Sequence, residues 1–271
     1  MTNEKVKEIE ENFKTNLKLL IGNFDQCRKL SDFVPIRFGG NAIYYHHKTL
    51  VEAKTGFLED EHIAMIYKVL DAWGMNSRST KLLSLKKFTC QIRNYEHKRP
   101  FEDMKSKYGK KRIDELKDTE IEEIVTWMFD NEIKGINKKS HKKTKTQIVL
   151  LSKTFHHIIP NIIPPIDREY SLRFMTWRHE NFNAKDVIHI NPDEKRLARI
   201  FIEGMRDFFK NTKEGQALIQ TELVKPNSDA NIIGAFNTSL PKIFDNLIIA
   251  FVLLHRVKLS VQQVAASMKA K

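Results

Sequence analysis

The sequence predicts a mainly α-helical fold with two lobes. Apolar residues recur at steps of three and four through several long segments, which is the period of one face of a helix. Glycine is scarce, with 10 among 271 residues, and the hydrophobic fraction of 41% is large enough to form a core. Alternating patterns typical of strands are confined to one short stretch. Together these observations favour a helical globular protein.

The N-terminal lobe is predicted to span residues 1–110. Its first helix is indicated by an apolar stripe, and another helix by "EDEHIAMIYKVLDAWGM" (59–75), which begins with acidic residues and ends at a glycine. Between them, "VPIRFGGNAIYYHH" (34–47) predicts a short β hairpin, because "FGGN" is typical of a turn. The stripe of the first helix consists of Val6, Ile9, Phe13, Leu17 and Leu20.

The C-terminal lobe is predicted to span residues 111–271, after a charged stretch at 96–112 that is interpreted as a soft boundary. Its first helix is "DTEIEEIVTWMFDNEIKG" (118–135), and a second runs from Thr144 to Pro160. Two later helices carry the apolar stripes Leu197, Ile200, Phe201, Phe208 and Leu240, Ile243, Phe244, Leu247, Phe251. Loops are expected near 31–60, 97–112, 135–145, 178–195 and 221–238.

The charge balance favours an anionic partner. Lysine and arginine number 46 against 34 acidic residues, which gives a formal net charge of +12. Nucleic acid is the first candidate and an acidic membrane surface the second, while the alternative is that the charge only keeps the protein in solution.

A cytoplasmic protein that does not enter the membrane is expected. Cys27 and Cys90 are too few for a disulfide framework and lack CxxC spacing. The N-terminus lacks the apolar region of a secretory signal. The longest apolar run, "LIIAFVLL" (247–254), is about half of what a bilayer span requires.

A dense group of lysines precedes the helix that carries Lys153. The lysines lie in "KGINKKSHKKTKTQ" (134–147), next to a helix N-terminus whose free N–H groups can bind phosphate. The alternative is a solvated segment that contributes only to solubility. The candidate phosphate-binding residues are Lys138, Lys139, Lys142, Lys143 and Lys145.

Lys153 is the candidate nucleophile. It lies beside the apolar stripe of its helix, and partial removal from water favours the neutral amine that nucleophilic attack requires. The alternative is a lysine whose stem covers apolar surface while its amine reaches solvent.

Asp167 is the candidate acidic partner. It follows Pro164 and Pro165, where the next helix is expected to begin. As an N-cap its carboxylate would accept backbone N–H groups, which keeps it ionised and fixed in direction, and capping alone is a sufficient reason for its presence. Arg168, the next residue, is interpreted either as a phosphate ligand or as the partner of a nearby acid.

The segment "WGMNSRS" (73–79) is a candidate part of a binding pocket. Trp73 is suited to stack on a base and Arg78 to hold a phosphate. The alternative is the C-terminus of a helix with glycine in the left-handed conformation. The doublets His46–His47 and His156–His157 lack the spacing of metal ligands, so no metal is expected.

Two resemblances extend this interpretation. "KTQIVLLSKTF" (145–155) and "IPPID" (163–167) resemble the helix-hairpin-helix DNA glycosylases, in particular the archaeal 8-oxoguanine glycosylase branch. The resemblance implies that Lys153 attacks the sugar C1′ of a damaged nucleotide and forms a Schiff base. It also implies that Asp167 assists departure of the base and stabilises the cationic sugar, with no metal or organic cofactor. The partner would be double-stranded DNA that contains a modified base.

The second resemblance covers more of the chain. "DAWGMNSRSTKLL" (71–83) together with "SKTFHHIIPNIIPPIDR" (152–168) is similar to a family of uncharacterised bacterial and archaeal all-α proteins. No activity follows from that similarity.

The leading hypothesis is therefore a DNA N-glycosylase and AP lyase of base-excision repair. A flipped base would lie between the lobes and stack on Trp73 or Trp177. The first alternative is a non-catalytic nucleic-acid-binding helical protein. The second is a helical domain that binds small molecules or proteins, for which the positive charge is incidental.

Overall fold

The computed structural model describes residues 3–34, 40–76, 82–130, 147–182, 193–224 and 238–257. These residues form twelve α-helices and contain no β-strand, which confirms the mainly helical prediction. The helices are α1 Asn3–Gly22, α2 Phe24–Ser31, α3 Gly40–Thr55, α4 Asp60–Ala72, α5 Leu85–Arg93, α6 Tyr95–Tyr108, α7 Asp118–Asp130, α8 Ile148–His156, α9 Arg173–Thr176, α10 Glu194–Asn211, α11 Lys213–Val224 and α12 Leu240–Val257.

The predicted end of α4 is confirmed in detail. Gly74 has a φ of 79°, the left-handed conformation that glycine adopts without strain. Its N–H donates to the Asp71 carbonyl at 2.8 Å, and the Met75 N–H donates to the Leu70 carbonyl at 3.1 Å. This pair of bonds is the Schellman motif, and it turns the chain directly after Trp73.

The predicted hairpin at 34–47 is wrong, because residues 40–55 form helix α3. Ala42, Ile43, His46 and Thr49 are buried at helical spacing, and α3 packs against α4. Burial of this face outweighs the turn propensity of "FGGN", whose last two residues begin the helix.

The expected loop at 97–112 is also wrong over most of its length, because α6 spans Tyr95–Tyr108. Phe101, Met104 and Tyr108 are buried at steps of three and four, so this charged segment has an apolar face. The division of the chain into lobes 1–110 and 111–271 stays a prediction.

Two helices lie at the centre of the core. In α12, every residue from 239 to 253 is buried, and in α8 every residue except the half-buried Val149 is buried. Both helices nevertheless carry charged side chains, Lys153 in α8 and Lys242 and Asp245 in α12. Since a buried charge is costly unless it is paired, these positions require partners within the core.

The apolar helix α12 is not long and apolar enough to cross a bilayer, and neither is any other helix among the residues described.

Candidate active site

Lys153 and Asp167 form an ion pair just beneath the surface. The Lys153 Nζ lies 3.0 Å from the Asp167 Oδ2, and their side chains are 7% and 14% exposed. The lysine amine therefore turns toward the carboxylate. The alternative interpretation requires an amine that extends into solvent, and the structure does not show this. The structure brings together the two residues that the sequence analysis proposed as nucleophile and acidic partner.

The local sequence holds this pair in register. After α8 the chain turns at Pro160 and returns alongside the helix, so that residues 14 positions apart face each other. Ser152 accepts the Ile166 N–H at 3.0 Å, one residue before the Lys153–Asp167 contact. His156, one turn further along α8, donates from Nδ1 to the Ile163 carbonyl at 2.7 Å. These bonds flank the ion pair and fix its geometry.

Asp167 is also the predicted N-cap. Its Oδ1 accepts the Glu169 N–H at 2.7 Å, while Oδ2 contacts Lys153. The helix that it caps begins with a π-helical turn, Arg168–Leu172, in which the Leu172 N–H donates to the Asp167 carbonyl at 2.8 Å. Such turns are frequent at functional sites. One carboxylate oxygen is thus fixed by the backbone and the other is directed at the amine.

Trp73 lies close to the Lys153 amine of this pair. The ring is half-buried, and its centre is 5.7 Å from the Lys153 Nζ. A second amine, the Lys242 Nζ, is 5.6 Å from the same ring. An aromatic face at this distance attracts cations, so Trp73 links two lysines that are distant in sequence.

Lys242 belongs to a second buried pair, which the sequence analysis missed. Its Nζ donates to the Asp245 Oδ2 at 2.6 Å and to the Asn246 Oδ1 at 2.8 Å. The Lys242 and Asp245 side chains are only 3% and 5% exposed. The available signal was a lysine and an aspartate three residues apart within the apolar stretch of α12.

The two buried pairs are connected. The Asp167 N–H donates to the Ser171 Oγ at 3.0 Å, and the Ser171 hydroxyl donates to the Asp245 Oδ1 at 3.3 Å. Burial lowers the pKa of the Lys242 amine and raises the pKa of the Asp245 carboxyl, against the mutual attraction of the two groups.

Buried histidines form a third layer of the site. Burial lowers the pKa of His46 well below its ordinary range and that of His157 to about 3, so both imidazoles are neutral at pH 7. The His157 Nδ1 is 2.8 Å from the Lys153 carbonyl, which can only accept, so this nitrogen carries the proton. His157 Nε2 then accepts from His46 Nδ1 at 3.0 Å, and His46 Nε2 accepts from the Thr238 hydroxyl at 2.8 Å. The direction of every bond in this chain is fixed.

The histidine rings also pack against the rest of the site. The His46 ring is nearly parallel to that of His156 at 5.6 Å and stacks with Trp73 at 5.6 Å. Within the described part of the chain, the buried His156 Nε2 has no hydrogen-bond partner, and no group of three side chains is arranged to hold a metal ion. His46, His156 and His157 contribute hydrogen bonds and packing, a role that the sequence analysis did not consider.

Of the remaining predicted residues, Arg168 and Trp177 are described by the structure and the others are not. Arg168 is half-buried and begins the π-helical turn beside Asp167. Trp177, the second candidate for stacking on a base, covers the Arg173 guanidinium, which lies 4.5 Å from the ring centre. Outside the described residues lie Arg78, Lys138, Lys139, Lys142, Lys143 and Lys145.

An open cleft lies along α3 and α4. It has a volume of about 610 Å³ and is lined by residues that include Tyr45, Lys68 and Ala72. None of Trp73, Lys153 and Asp167 is among its lining residues. Its volume is in the range of ligand-binding pockets.

Comparison with known proteins gave no match: no family model fits the chain, and no curated protein or solved structure is significantly similar to it. The function must therefore be argued from the chemistry of the site. An amine in contact with a fixed carboxylate, beneath an aromatic ring and largely shielded from water, is suited to nucleophilic catalysis.

Proposed function

We propose that this protein is a DNA N-glycosylase with AP lyase activity, in which Lys153 is the nucleophile and Asp167 its acidic partner. The observation that carries the proposal is the 3.0 Å contact between the buried Lys153 amine and the capped Asp167 carboxylate. The resemblance of the two segments to helix-hairpin-helix glycosylases supports the same assignment.

The proposed reaction begins with proton transfer. Asp167 Oδ2 accepts a proton from the Lys153 ammonium, and the neutral amine attacks C1′ of the damaged nucleotide. The bond from C1′ to the base breaks, its electron pair leaves with the base, and the base receives the proton from Asp167. The secondary ammonium so formed returns a proton to Asp167, and the freed lone pair then opens the bond from C1′ to the ring oxygen, which takes that proton from Asp167 and becomes a hydroxyl. The product is a protonated Schiff base. The Asp167 carboxylate then removes a proton from C2′, and the electron pair of that bond expels the 3′ phosphate, which cleaves the strand.

The orientation of Asp167 supports this role. Because Oδ1 is held by the Glu169 N–H, Oδ2 stays directed at the Lys153 amine, next to which the sugar would develop positive charge in this scheme. A carboxylate that is oriented in advance stabilises such charge without reorganisation.

Trp73 and the charge of the protein support DNA as the substrate. A nucleotide must leave the base stack before its C1′ can be attacked, and an aromatic ring near the nucleophile compensates for the lost stacking. Trp73 has this position relative to Lys153. The net charge of +12, with the lysine cluster Lys138–Lys145, is suited to bind backbone phosphates.

A second candidate function is a non-catalytic nucleic-acid-binding protein. The observation that favours it is the completeness of both ion pairs, in which each lysine already has a carboxylate partner. Such pairs can serve the structure alone. This alternative predicts that Lys153 is dispensable for every activity on DNA.

The test is borohydride trapping on duplex oligonucleotides that carry an abasic site, 8-oxoguanine, uracil or hypoxanthine. The wild type is expected to give a covalent band on a denaturing gel, since borohydride reduces a Schiff base to a stable amine. Lys153→Gln should lose the band and retain DNA affinity. Lys210→Gln, which removes an exposed lysine from the end of α10, is the matched control and should retain both.

A chelator should leave trapping unchanged, because the proposed chemistry needs no metal. Salt-sensitive binding without a covalent band on any of the four substrates would contradict the proposal and favour the binding protein.

A further inference from the structure

The Lys242–Asp245 pair raises a separate question, because the packing of α12 does not require it. Apart from Asn246, which accepts a hydrogen bond from Lys242, the helix is otherwise apolar at its buried positions, and both charged side chains are nearly inaccessible. Replacing a buried ion pair by apolar residues of similar volume is often neutral or stabilising. The presence of these two charges is therefore not explained by stability alone.

The hydroxyl of Ser171 connects Asp245 to Asp167. It has one proton, and this proton is directed to the Asp245 Oδ1 at 3.3 Å. A lone pair of the same oxygen is consequently left facing the Asp167 N–H, which it accepts at 3.0 Å. Asp245 thus determines the orientation of the group that fixes the backbone of Asp167.

The Lys242 ammonium lies against the same aromatic ring as the Lys153 amine. It lies 5.6 Å from the centre of the Trp73 ring, while the Lys153 Nζ lies 5.7 Å from the same centre. A neighbouring positive charge favours loss of a proton from an amine, and a neighbouring negative charge opposes it. Lys242 and Asp245 therefore act on Lys153 in opposite senses.

We propose that Lys242 and Asp245 form a positioning pair that orients Asp167 through Ser171 and sets how readily Lys153 gives up its proton. The proposal rests on the proposed function in so far as Lys153 is the reacting amine. Neither residue of the pair contacts the substrate in this scheme.

Other groups around Lys153 contribute little change of charge near neutral pH. Asp167 is its direct partner, and the imidazoles that pack nearest are neutral because burial lowers the pKa of each. These imidazoles belong to His46, His156 and His157. Among the described residues, Lys242 and Asp245 thus supply charges that can be altered without touching the Lys153–Asp167 contact.

The experiment measures the reactivity of Lys153 without DNA. The full-length protein is methylated with formaldehyde and cyanoborohydride across a pH series, and the labelling of Lys153 is followed by peptide mass spectrometry. Lys242→Met removes a positive charge and should move the pH midpoint of Lys153 labelling upward. Asp245→Asn removes a negative charge and should move it downward. Each shift should be about one pH unit, the size expected of a nearby buried charge.

Two controls isolate the effect. Lys111→Met removes a lysine from a surface ion pair with Glu120 and should leave the midpoint unchanged. Ser171→Ala removes the hydroxyl without changing charge, so the midpoint should stay in place while the rate of borohydride trapping falls at least about tenfold, since small misplacements of a catalytic group are costly. Circular dichroism verifies that each variant is folded.

Opposite shifts in the two charge variants, with no shift in Lys111→Met, support the positioning pair. Identical midpoints in all folded variants would overturn it. If neither charge variant folds, an unchanged trapping rate in Ser171→Ala would also overturn it. Because labelling needs no DNA, shifts without any trapped product would contradict the glycosylase function and leave the positioning pair standing.

Discussion

The buried site and the surface between α7 and α10 both contain ion pairs, but in opposite environments. On the surface, the Arg199 guanidinium contacts Glu122 at 2.5 Å and Glu203 at 2.7 Å, with 42% of the Arg199 side chain and 55% of the Glu122 side chain exposed. In the core, Lys242 contacts Asp245 at 2.6 Å with 3% and 5% exposed. The contact distances are similar and the access of water is not.

This difference determines what each region can do. A surface pair contributes roughly 0–1 kcal/mol, because water stabilises its partners when they separate. Breaking a buried pair leaves an uncompensated charge and costs roughly 3–5 kcal/mol. Buried charges are therefore strongly coupled to their neighbours.

The largest expected effect that sharpens this comparison is a loss of stability in mild acid. Burial lowers the pKa of His62 from 6.5 to about 4 and that of His157 to about 3, so the unfolded chain binds protons below pH 6.5 that the folded protein excludes. The stabilisation is complete above pH 6.5 and is lost as pH falls toward those folded values. Between pH 7 and pH 5 the two groups together should cost roughly 4 kcal/mol.

Urea unfolding at pH 7, 6 and 5 measures this effect. Surface carboxylates such as Glu120 and Glu123 have a pKa lowered by their lysine partners, so their contribution is lost only at more acidic pH. The raised pKa of Asp245 increases stability as pH falls, which opposes the effect of the histidines. It is one group, however, against four buried histidines whose pKa values are lowered. A free energy of unfolding that is constant from pH 7 to pH 5 would contradict the assignment of neutral, buried imidazoles.

The next effect compares one pair from each region. Lys242→Met should lower the free energy of unfolding by about 3 kcal/mol or more, because Asp245 stays buried without its cation. Arg199→Met should lower it by less than about 1 kcal/mol. Denaturant midpoints at pH 7 provide the comparison, and equal losses would show that burial does not separate the two regions.

Replacing both partners of the buried pair separates stability from function. Lys242→Met combined with Asp245→Leu should recover most of the stability lost in the single variant, since no unpaired charge remains. Borohydride trapping should nevertheless be slower by at least about tenfold, because Asp167 loses its support through Ser171. A double variant that traps at the wild-type rate would show that the pair has no part in the reaction.

The smallest effect concerns two half-buried tryptophans, Trp73 and Trp177. Trp73→Ala should weaken binding of DNA that carries an abasic or damaged site by about 1–3 kcal/mol, the contribution of one stacked base. Trp177→Ala is the matched variant, because Trp177 covers Arg173 and not Lys153. Fluorescence anisotropy titrations measure both, and equal affinity losses would remove the special role of Trp73.

The sequence predicted the parts of the fold that depend on local signals. The stripe of α1, the glycine that ends α4 and the cap at Asp167 are each encoded within a few residues. Helix α3 was missed because a turn signal stands at its start. Helix α6 was missed because its three buried apolar residues are separated by charged ones.

The candidate site could be predicted only where its residues are close in sequence. Lys153 and Asp167 lie on either side of one turn, so their pairing follows from a short stretch of chain. Lys242 and Asp245 reach the site through the packing of α12 against the π-helical turn, and His46 reaches it through α3. These contacts depend on long-range packing, which no local pattern encodes.

The most direct test of the central claim is to identify the amino acid that carries the trapped DNA. The borohydride-reduced complex is digested with nuclease and trypsin and analysed by mass spectrometry. The account predicts the sugar adduct on Lys153, within the tryptic peptide 146–168. An adduct on Lys242 or on a surface lysine, with Lys153 unmodified, would contradict it.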